Sequence, residues 1–355
     1  MEPKIYINGT GSISAQKASL QALEGPNLYN APVLKHCFTD FKKYISPREM
    51  RRMSTAVKLG VAAANASLED ANVKELSGIL VGTGMGCKQD SDIFLEDMLQ
   101  NKEDFLTPTK FIQSTHNTVS GQIALQLDCK AYNTTYVQSS VSFESAFLDA
   151  EMELQTAKKH KNYLVGGVDE ISDYSIDLQR LDGQIKEENF TNTHLMQHIS
   201  PGSIIGEGAS FFVLSNFKKA NSYAQYLGNK IYNQLQEDEV EMALRNFLQE
   251  KEITLKDIDA IILGQNAMLV DQPYFSVFSQ GKLQDIPQLY YKHLVGEFYT
   301  ASAYAFWLAC HILKEGKIPQ SCKLNQFQIR KKPEYILLYN VYRGKNHSFS
   351  LLRTC

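Results

Sequence analysis

Three serines and a glutamine stand where a buried strand turns into a helix. Tyr132–Val137 is aromatic and β-branched and reads as a strand; Gln138, Ser139 and Ser140 are small and polar; a helix follows from about Val141. The first N–H groups of a helix have no partner within it, and its dipole is positive at that end. A nucleophile at such a turn gains a stabilised anion and donors for a developing oxyanion. The same position suits plain N-capping, for which Ser139, Ser140 and Ser142 are all candidates. A second group lies far along the chain. Lys292 and Glu297 stand in KHLVGE before an apolar helix, Gln265 and Asn266 follow the short strand Ala260–Leu263, and His347 closes the run from Tyr342. An acid at the first turn of a helix complements its dipole, and a lone histidine in a late turn is ordinarily a satisfied polar residue. His194 and His198 have i, i+4 spacing without a third ligand nearby, so no metal site is expected.

The elements that must position these groups alternate. Lys4–Asn8 reads as a strand with Gly9-Thr10-Gly11 as its turn, and Arg51–Ala71 as a helix carrying Ala56, Leu59, Ala63, Ala66 and Ala71 near the helical period. Gly78–Val81 is a strand closed by Gly82-Thr83-Gly84. Phe143–Lys158 is a helix with Phe143, Ala146, Phe147, Ala150 and Leu154 on one face. Tyr163–Val165 is a strand ending at Gly166-Gly167, and Ser210–Leu214 follows Gly206. The second half repeats the theme with Ala260–Leu263, a buried helix at Phe298–Leu313, and strands at Tyr335–Val341 and Ser348–Leu352. Strands alternating with helices imply an α/β fold with mostly parallel sheets covered on both faces. The topology divides near 1–218 and 219–355 into two related α/β halves. Gln179–Asn192 is polar and reads as a surface loop or cap.

Composition sets outer limits. The chain has 355 residues, 43% of them hydrophobic, which is ample for a core and excludes wholesale disorder. With 36 basic and 39 acidic residues the net charge is -3, which argues against nucleic acid or an anionic membrane as partner. Six cysteines at 37, 87, 129, 310, 322 and 355 form neither a CxxC pair nor a zinc pattern, so reduced thiols and a cytoplasmic location are expected. The start, MEPKIYINGTG, lacks the apolar run of a secretory signal, and the apolar stretch Phe298–Leu313 is too short to span a bilayer.

In series, several segments resemble the β-ketoacyl-acyl-carrier-protein synthases of the thiolase superfamily. SPREMRRMSTAVKLGVAAANASLEDA (Ser46–Ala71) is similar to that family's early helix with its arginine-rich lead, and GILVGTGMG (Gly78–Gly86) to its second strand and glycine turn. LTPTKFIQSTHNTVSGQIALQL (Leu106–Leu127) resembles the family's dimer-interface segment, within which His116 falls. YLVGGVDE, GEGASFFVL and KHLVGEFYTASA resemble its glycine-marked strands and its lysine- and histidine-bearing motif. The resemblance implies a thiolase-like five-layered αβαβα fold and a dimer. It implies no bound cofactor, but an acyl pocket reached by the phosphopantetheine arm of an acyl carrier protein. It also implies a catalytic set of one cysteine thiolate at the helix start and two histidines.

That set is absent. The cysteine column falls at Ser140, or at Gln138 with a two-residue shift; no cysteine lies between Cys129 and Cys310. The first histidine's motif reads Gly264-Gln265-Asn266, the second histidine falls at Glu297, and Lys292 keeps the family's lysine. Serine without a base is a far weaker nucleophile than a thiol, and an ionised carboxylate cannot donate to a developing oxyanion. The gate loop becomes Tyr342-Arg343-Gly344-Lys345, adding bulk and charge at the expected pocket mouth; His347 is the one nearby group with acid–base capacity. In related polyketide and aryl-polyene systems, ketosynthase-like chains lacking the catalytic set act as chain-length factors. The expectation is therefore a non-condensing subunit that pairs with an active ketosynthase, or with itself as a homodimer, and shapes an acyl pocket. Phe105, Phe111 and Ile112 are then candidates for limiting chain length, with Gln138, Gln265, Asn266 and Tyr342 also facing substrate. Lys42, Lys43, Arg48, Arg51 and Arg52 would steer an acidic carrier protein, or merely form a solvated face. The alternative is a divergent acyltransferase or hydrolase with Ser140 as nucleophile and Glu297 or His347 as base; an ordinary condensing enzyme fits least.

Overall fold

A computed structural model of the chain describes residues 3–104, 106, 108–327 and 331–355; Phe105, expected to limit chain length, lies outside them. The strands are β1 (Ile5–Ile13), β2 (Val33–Leu34), β3 (Gly78–Gly82), β4 (Tyr132–Tyr136), β5 (Asn162–Asp169), β6 (Ile205–Gly206), β7 (Gly208–Ser215), β8 (Ala224–Tyr232), β9 (Ala260–Leu263), β10 (Gln288–Tyr290), β11 (Tyr335–Tyr342) and β12 (Lys345–Arg353). Ten of them join in the order β10-β9-β11-β12-β8-β1-β7-β5-β3-β4, while β2 and β6 pair separately. In the first set β1 and β7 run antiparallel, as do β7 and β5, and β5, β3 and β4 run parallel. In the second, β8 and β12 run antiparallel, as do β12 and β11, and β11, β9 and β10 run parallel. The two sets have one pattern and meet at the antiparallel pair β1–β8. The sheet is thus mixed rather than mostly parallel, because β1, β7, β8 and β12 each run antiparallel to both of their neighbours.

Alternation along each strand builds five layers. Tyr163 and Val165 of β5, Phe212 and Leu214 of β7, Ile262 of β9 and Leu338 of β11 share one core with the helices Ser142–Gln155 and Ser302–Glu315. The intervening residues face outward. Leu164, Phe211 and Val213 pack on the helix Thr55–Ala71, and Ile261, Leu263, Leu337 and Tyr339 pack with the helix Val240–Glu250. A period of two buried on both faces explains why these strands read as continuous apolar runs. The αβαβα expectation is met.

Several boundaries differ from the sequence expectation for stated reasons. Gly9 and Gly11 lie inside β1, not in a turn, because the helix Thr55–Ala71 crosses so closely that a Cβ at either would collide with the carbonyls of Ser67 or Ala63. Gly166 and Gly167 likewise lie inside β5, against the Phe211 ring and Thr300. The early helix starts at Thr55, where Ser54 Oγ accepts from the Val57 N–H at 3.1 Å. Its arginine-rich lead forms the separate turn Pro47–Met50, held by a capping box between Ser46 and Glu49. The late apolar helix begins at Ser302, so Glu297 precedes it and does not sit in its first turn. The segment Gln179–Asn192 is no simple surface loop. Its start completes the helix Asp173–Leu181, and Ile185, Lys186 and Asn192 are buried. No helix among the described residues is long and apolar enough to cross a membrane.

Candidate functional site

The turn after β4 is a short 3-10 segment, Ser139–Val141, leading directly into the helix Ser142–Gln155. No serine caps the helix; Ser142 instead ties the turn together, its Oγ accepting from the Gln138 N–H at 2.8 Å and donating to the Ser139 carbonyl at 2.7 Å. Ser139 is in the left-handed region at φ 54°, where a residue with a Cβ is strained. Ser140 is 1% exposed and its Oγ has no hydrogen-bond partner. Gln138 and Ser139, not Ser140, line an open groove of about 790 Å³ together with Val141, Leu148, Met152 and Ile231. The side chain of Gln138 accepts a very short bond from Ser145. Of the two serines in this turn, the half-buried Ser139 reaches the groove, one position before the expected column, beside the exposed Gln138.

The second group is a closed network. Lys292 Nζ donates to Glu297 Oε2 at 2.6 Å, and Asn266 Nδ2 donates to the same oxygen at 2.8 Å and to Asp271 Oδ2 at 2.9 Å. Asp271 Oδ1 in turn accepts from the Gly344 N–H at 2.8 Å, in the β11–β12 turn where Arg343 and Gly344 have φ 54° and 69°. Burial pushes the Glu297 carboxyl upward, while the Lys292 ammonium and the Asn266 amide pull it back. Glu297 opens on a cavity of about 250 Å³ shared with Met268, Tyr299, Tyr342 and Arg343. The Tyr342 and Tyr299 rings sit 5.3 Å apart at its wall. Gln265 is buried beside this loop and accepts only a long contact of 3.4 Å from Gln272.

The remaining expected residues are not brought to this site. His347 points to the opposite face of β12 from Ser348. Its Nδ1 bonds the Tyr339 hydroxyl at 2.9 Å, inside the outer core that also holds Phe349. Burial lowers its pKa to about 4. It is therefore not placed to assist Ser140, and among the described residues no other base lies in hydrogen-bond contact with that hydroxyl. Phe111 is 58% exposed, packs against Phe94 at 5.5 Å and lines neither the groove nor the cavity. His194 and His198 fall in the 3-10 segment Asn192–Gln197 and at its end, and His198 bonds Glu188 at 2.9 Å. Among the described residues no cluster has the makings of a metal site.

Three carboxylates and a lysine escaped the sequence reading. Asp169, at the end of β5, accepts from Thr83, Gly84, Met85 and Thr300 and so joins the two halves above the cavity. Glu170 accepts from the Ala56 and Gln89 N–H groups at 2.7 and 2.8 Å, while burial pushes its pKa up to about 7. Glu144 is fully buried on the long helix. Lys186 donates to the His198 carbonyl, Ser200 Oγ and the Ala267 carbonyl at 2.6, 2.8 and 3.1 Å, pinning the 183–200 segment over the loop that holds Asn266. Burial lowers its pKa to about 8. The signal that existed for Glu144 was its place one turn after Ser140; nothing local announced the others.

A family model described as "Beta-ketoacyl synthase, N-terminal domain" matches residues 15–220. No curated protein matches the chain. Among solved structures, the chain is similar to the ishigamide ketosynthase/chain length factor, at 16% identity and a TM-score of 0.81 over 100% of both chains. It is similar to a β-ketoacyl synthase from Burkholderia phymatum STM815 with the same identity, TM-score and coverage. It is also similar to the ketosynthase ApeO in complex with its chain length factor ApeC from Xenorhabdus doucetiae, at 15% identity and a TM-score of 0.78 over 99% and 98% of the two chains. Identities this low speak to the fold alone.

Proposed function

The chain belongs to the β-ketoacyl synthase family, and from that premise we propose that it is a non-condensing, chain-length-factor-type subunit of fatty acid or polyketide biosynthesis. Its work is to shape the acyl pocket of an active ketosynthase. The observation that carries the reading is the Lys292–Glu297–Asn266–Asp271 network. Where the family resemblance calls for histidines that donate to an oxyanion, this chain has a buried acid already matched by a lysine and an amide. The amide hydrogens of Asn266 are both taken, and the ionised acid at this position accepts rather than donates, opposing a developing negative charge. The turn at Gln138–Ser140 has neither thiol nor base.

What remains is shape and surface. Among the described residues the outer side of β4 has no partner strand, and Val137, Leu148 and Met152 are exposed beside the groove lined by Gln138 and Ser139. An unpaired edge flanked by apolar side chains suits a second ketosynthase-type chain. Phe111 and Ile112 are exposed, so any limit they set on chain length would fall on that partner's pocket rather than on a cavity of this chain. Lys42, Arg48, Arg51 and Arg52 are exposed with no ion pair among the described residues, and would steer the acyl carrier protein that supplies the phosphopantetheine arm. Lys43 is engaged with Glu69 at 2.7 Å.

The test is co-expression with candidate ketosynthases, followed by mass measurement of the complex and assay with malonyl-loaded carrier protein. A stable complex that condenses, with product length altered when Phe111 or Met152 is reduced to alanine, supports the reading. Malonyl decarboxylation and chain extension by this polypeptide alone would overturn it.

A further inference from the structure

A small cavity of about 10 Å³ lies between the helices Ser142–Gln155 and Ser302–Glu315 and the strands β9, β11 and β12. Its polar lining includes Glu144, Tyr291, Ser302, Asn340 and Ser348. Glu144 is 3% exposed. Its Oε1 accepts from Ser348 Oγ at 3.0 Å, and its backbone carbonyl accepts from Asn229 Nδ2 at 2.8 Å. Its other oxygen, Oε2, has no partner, and neither has the buried hydroxyl of Ser302. Ser302 is near enough to favour the charged carboxyl, yet no hydrogen bond of proper geometry closes between them. Two unpaired polar groups across a void of one probe sphere, about 10–15 Å³, are the setting in which proteins hold a single internal water.

The charge balance points the same way. Lys292 is the basic group that acts on Glu144, and it is already engaged with Glu297 at 2.6 Å. An ionised Glu144 would be a second carboxylate facing one ammonium inside an apolar layer, which is unfavourable without its own hydrogen-bonded partner. We propose that Glu144 is held as a neutral carboxylic acid and that, with Ser302, it binds one internal water in this cavity. The atoms balance. Oε1 keeps the Ser348 bond, the Oε2–H donates a hydrogen bond to the water oxygen without leaving the acid, and the water donates to Ser302 Oγ and to the Tyr291 hydroxyl oxygen. The Tyr291 proton is directed at Asn340 Oδ1, 3.5 Å away. The neutral acid and its water then tie the helix that follows the Gln138–Ser140 turn to β12 and to the helix Ser302–Glu315. Glu144 is thereby a positioning residue for that turn, one helical turn away.

The experiment is infrared difference spectroscopy of wild type against Glu144→Gln at pH 7, paired with a high-resolution crystal structure of the wild-type protein after a rubidium soak. The proposal expects a protonated-carboxyl C=O band in wild type that Glu144→Gln removes. It also expects density in the cavity within hydrogen-bond distance of Glu144 Oε2 and Ser302 Oγ, without a rubidium signal. Carboxylate bands alone, an empty cavity, or an anomalous rubidium peak would each overturn it, the last by showing a cation held by an ionised Glu144. Should Glu144→Gln fail to fold, the wild-type crystal decides by itself.

Discussion

Lys292 and Glu297 form a buried ion pair at 2.6 Å, with the two side chains 0% and 7% exposed, across a single left-handed glycine, Gly296 at φ 78°. The turn is locked from outside. The Glu297 N–H donates to the Ile204 carbonyl at 2.7 Å, and the Glu297 carbonyl accepts from Gly206 at 3.0 Å. A Cβ at Gly296 or Gly206 would collide with this crossing, so the glycines permit the approach that brings the acid under the lysine.

Breaking that pair from one side leaves an uncompensated buried charge. Lys292→Met and Glu297→Leu are each expected to destabilise the protein by about 3–5 kcal/mol. The double variant is expected to lose clearly less than the sum, because it removes both charges. Denaturant unfolding of the four proteins checks this; additive losses would mean that the two groups are not coupled.

Asp169 accepts from Thr83 Oγ1 at 3.1 Å, from the Gly84 and Met85 N–H groups at 2.8 and 3.3 Å, and from Thr300 N and Oγ1 at 2.9 and 2.8 Å. Asp169→Ala strands buried donors and is expected to cost about 2–4 kcal/mol. Asp169→Asn retains the shape but turns an amide NH2 towards donors, so it should rescue only part of the loss. Full rescue in thermal or denaturant unfolding would contradict this account.

His293 is wholly buried, stacked on Tyr290 at 3.8 Å, and burial lowers its pKa from the ordinary 6.5 to about 3. Between those values the unfolded chain takes up a proton that the folded chain refuses. The stability due to this group is complete above 6.5 and is lost as pH falls towards 3. From pH about 6.5 to about 5 the loss is expected to be about 2 kcal/mol. His293→Phe should lose correspondingly less over that interval. Parallel pH profiles of wild type and variant would expose the error if no difference emerges.

The turn after β4 has its own chemical test. Ser139 lines the open groove and Ser140 is 1% exposed. Ser139→Cys is expected to be alkylated by iodoacetamide at least about tenfold faster than Ser140→Cys, read by peptide mass mapping. The reverse order would restore Ser140 as the presented residue.

Much of the fold was legible. Tyr163–Val165, Ala260–Leu263 and Tyr335–Val341 could be recognised as strands because residues buried on both faces leave an uninterrupted apolar run, and the helix face through Phe143 and Phe147 followed from its period. β8 was missed because its Ala224–Tyr232 run mixes Gln225, Asn229 and Lys230 into the pattern. Of the candidate site, Lys292, Glu297 and Asn266 were found from motif position, and the structure joins them. His347 was named from proximity in sequence to the gate loop, and the alternation of β12 turns it into the other core.

The amino-acid order alone determined where the long apolar strands and helices form, that no thiol stands at the β4 turn, and that an acid stands in the lysine motif, because these depend on residue type and short spacing. Only the tertiary structure decided that Gly9 and Gly11 serve a helix crossing rather than a turn. Only there does Asp169 reach Thr300, and Glu144 face a cavity shared with Ser302. Those outcomes rest on contacts between segments more than fifty residues apart. A strand's period states which face is apolar, but what that face meets is settled only when distant strands pair and the layers close.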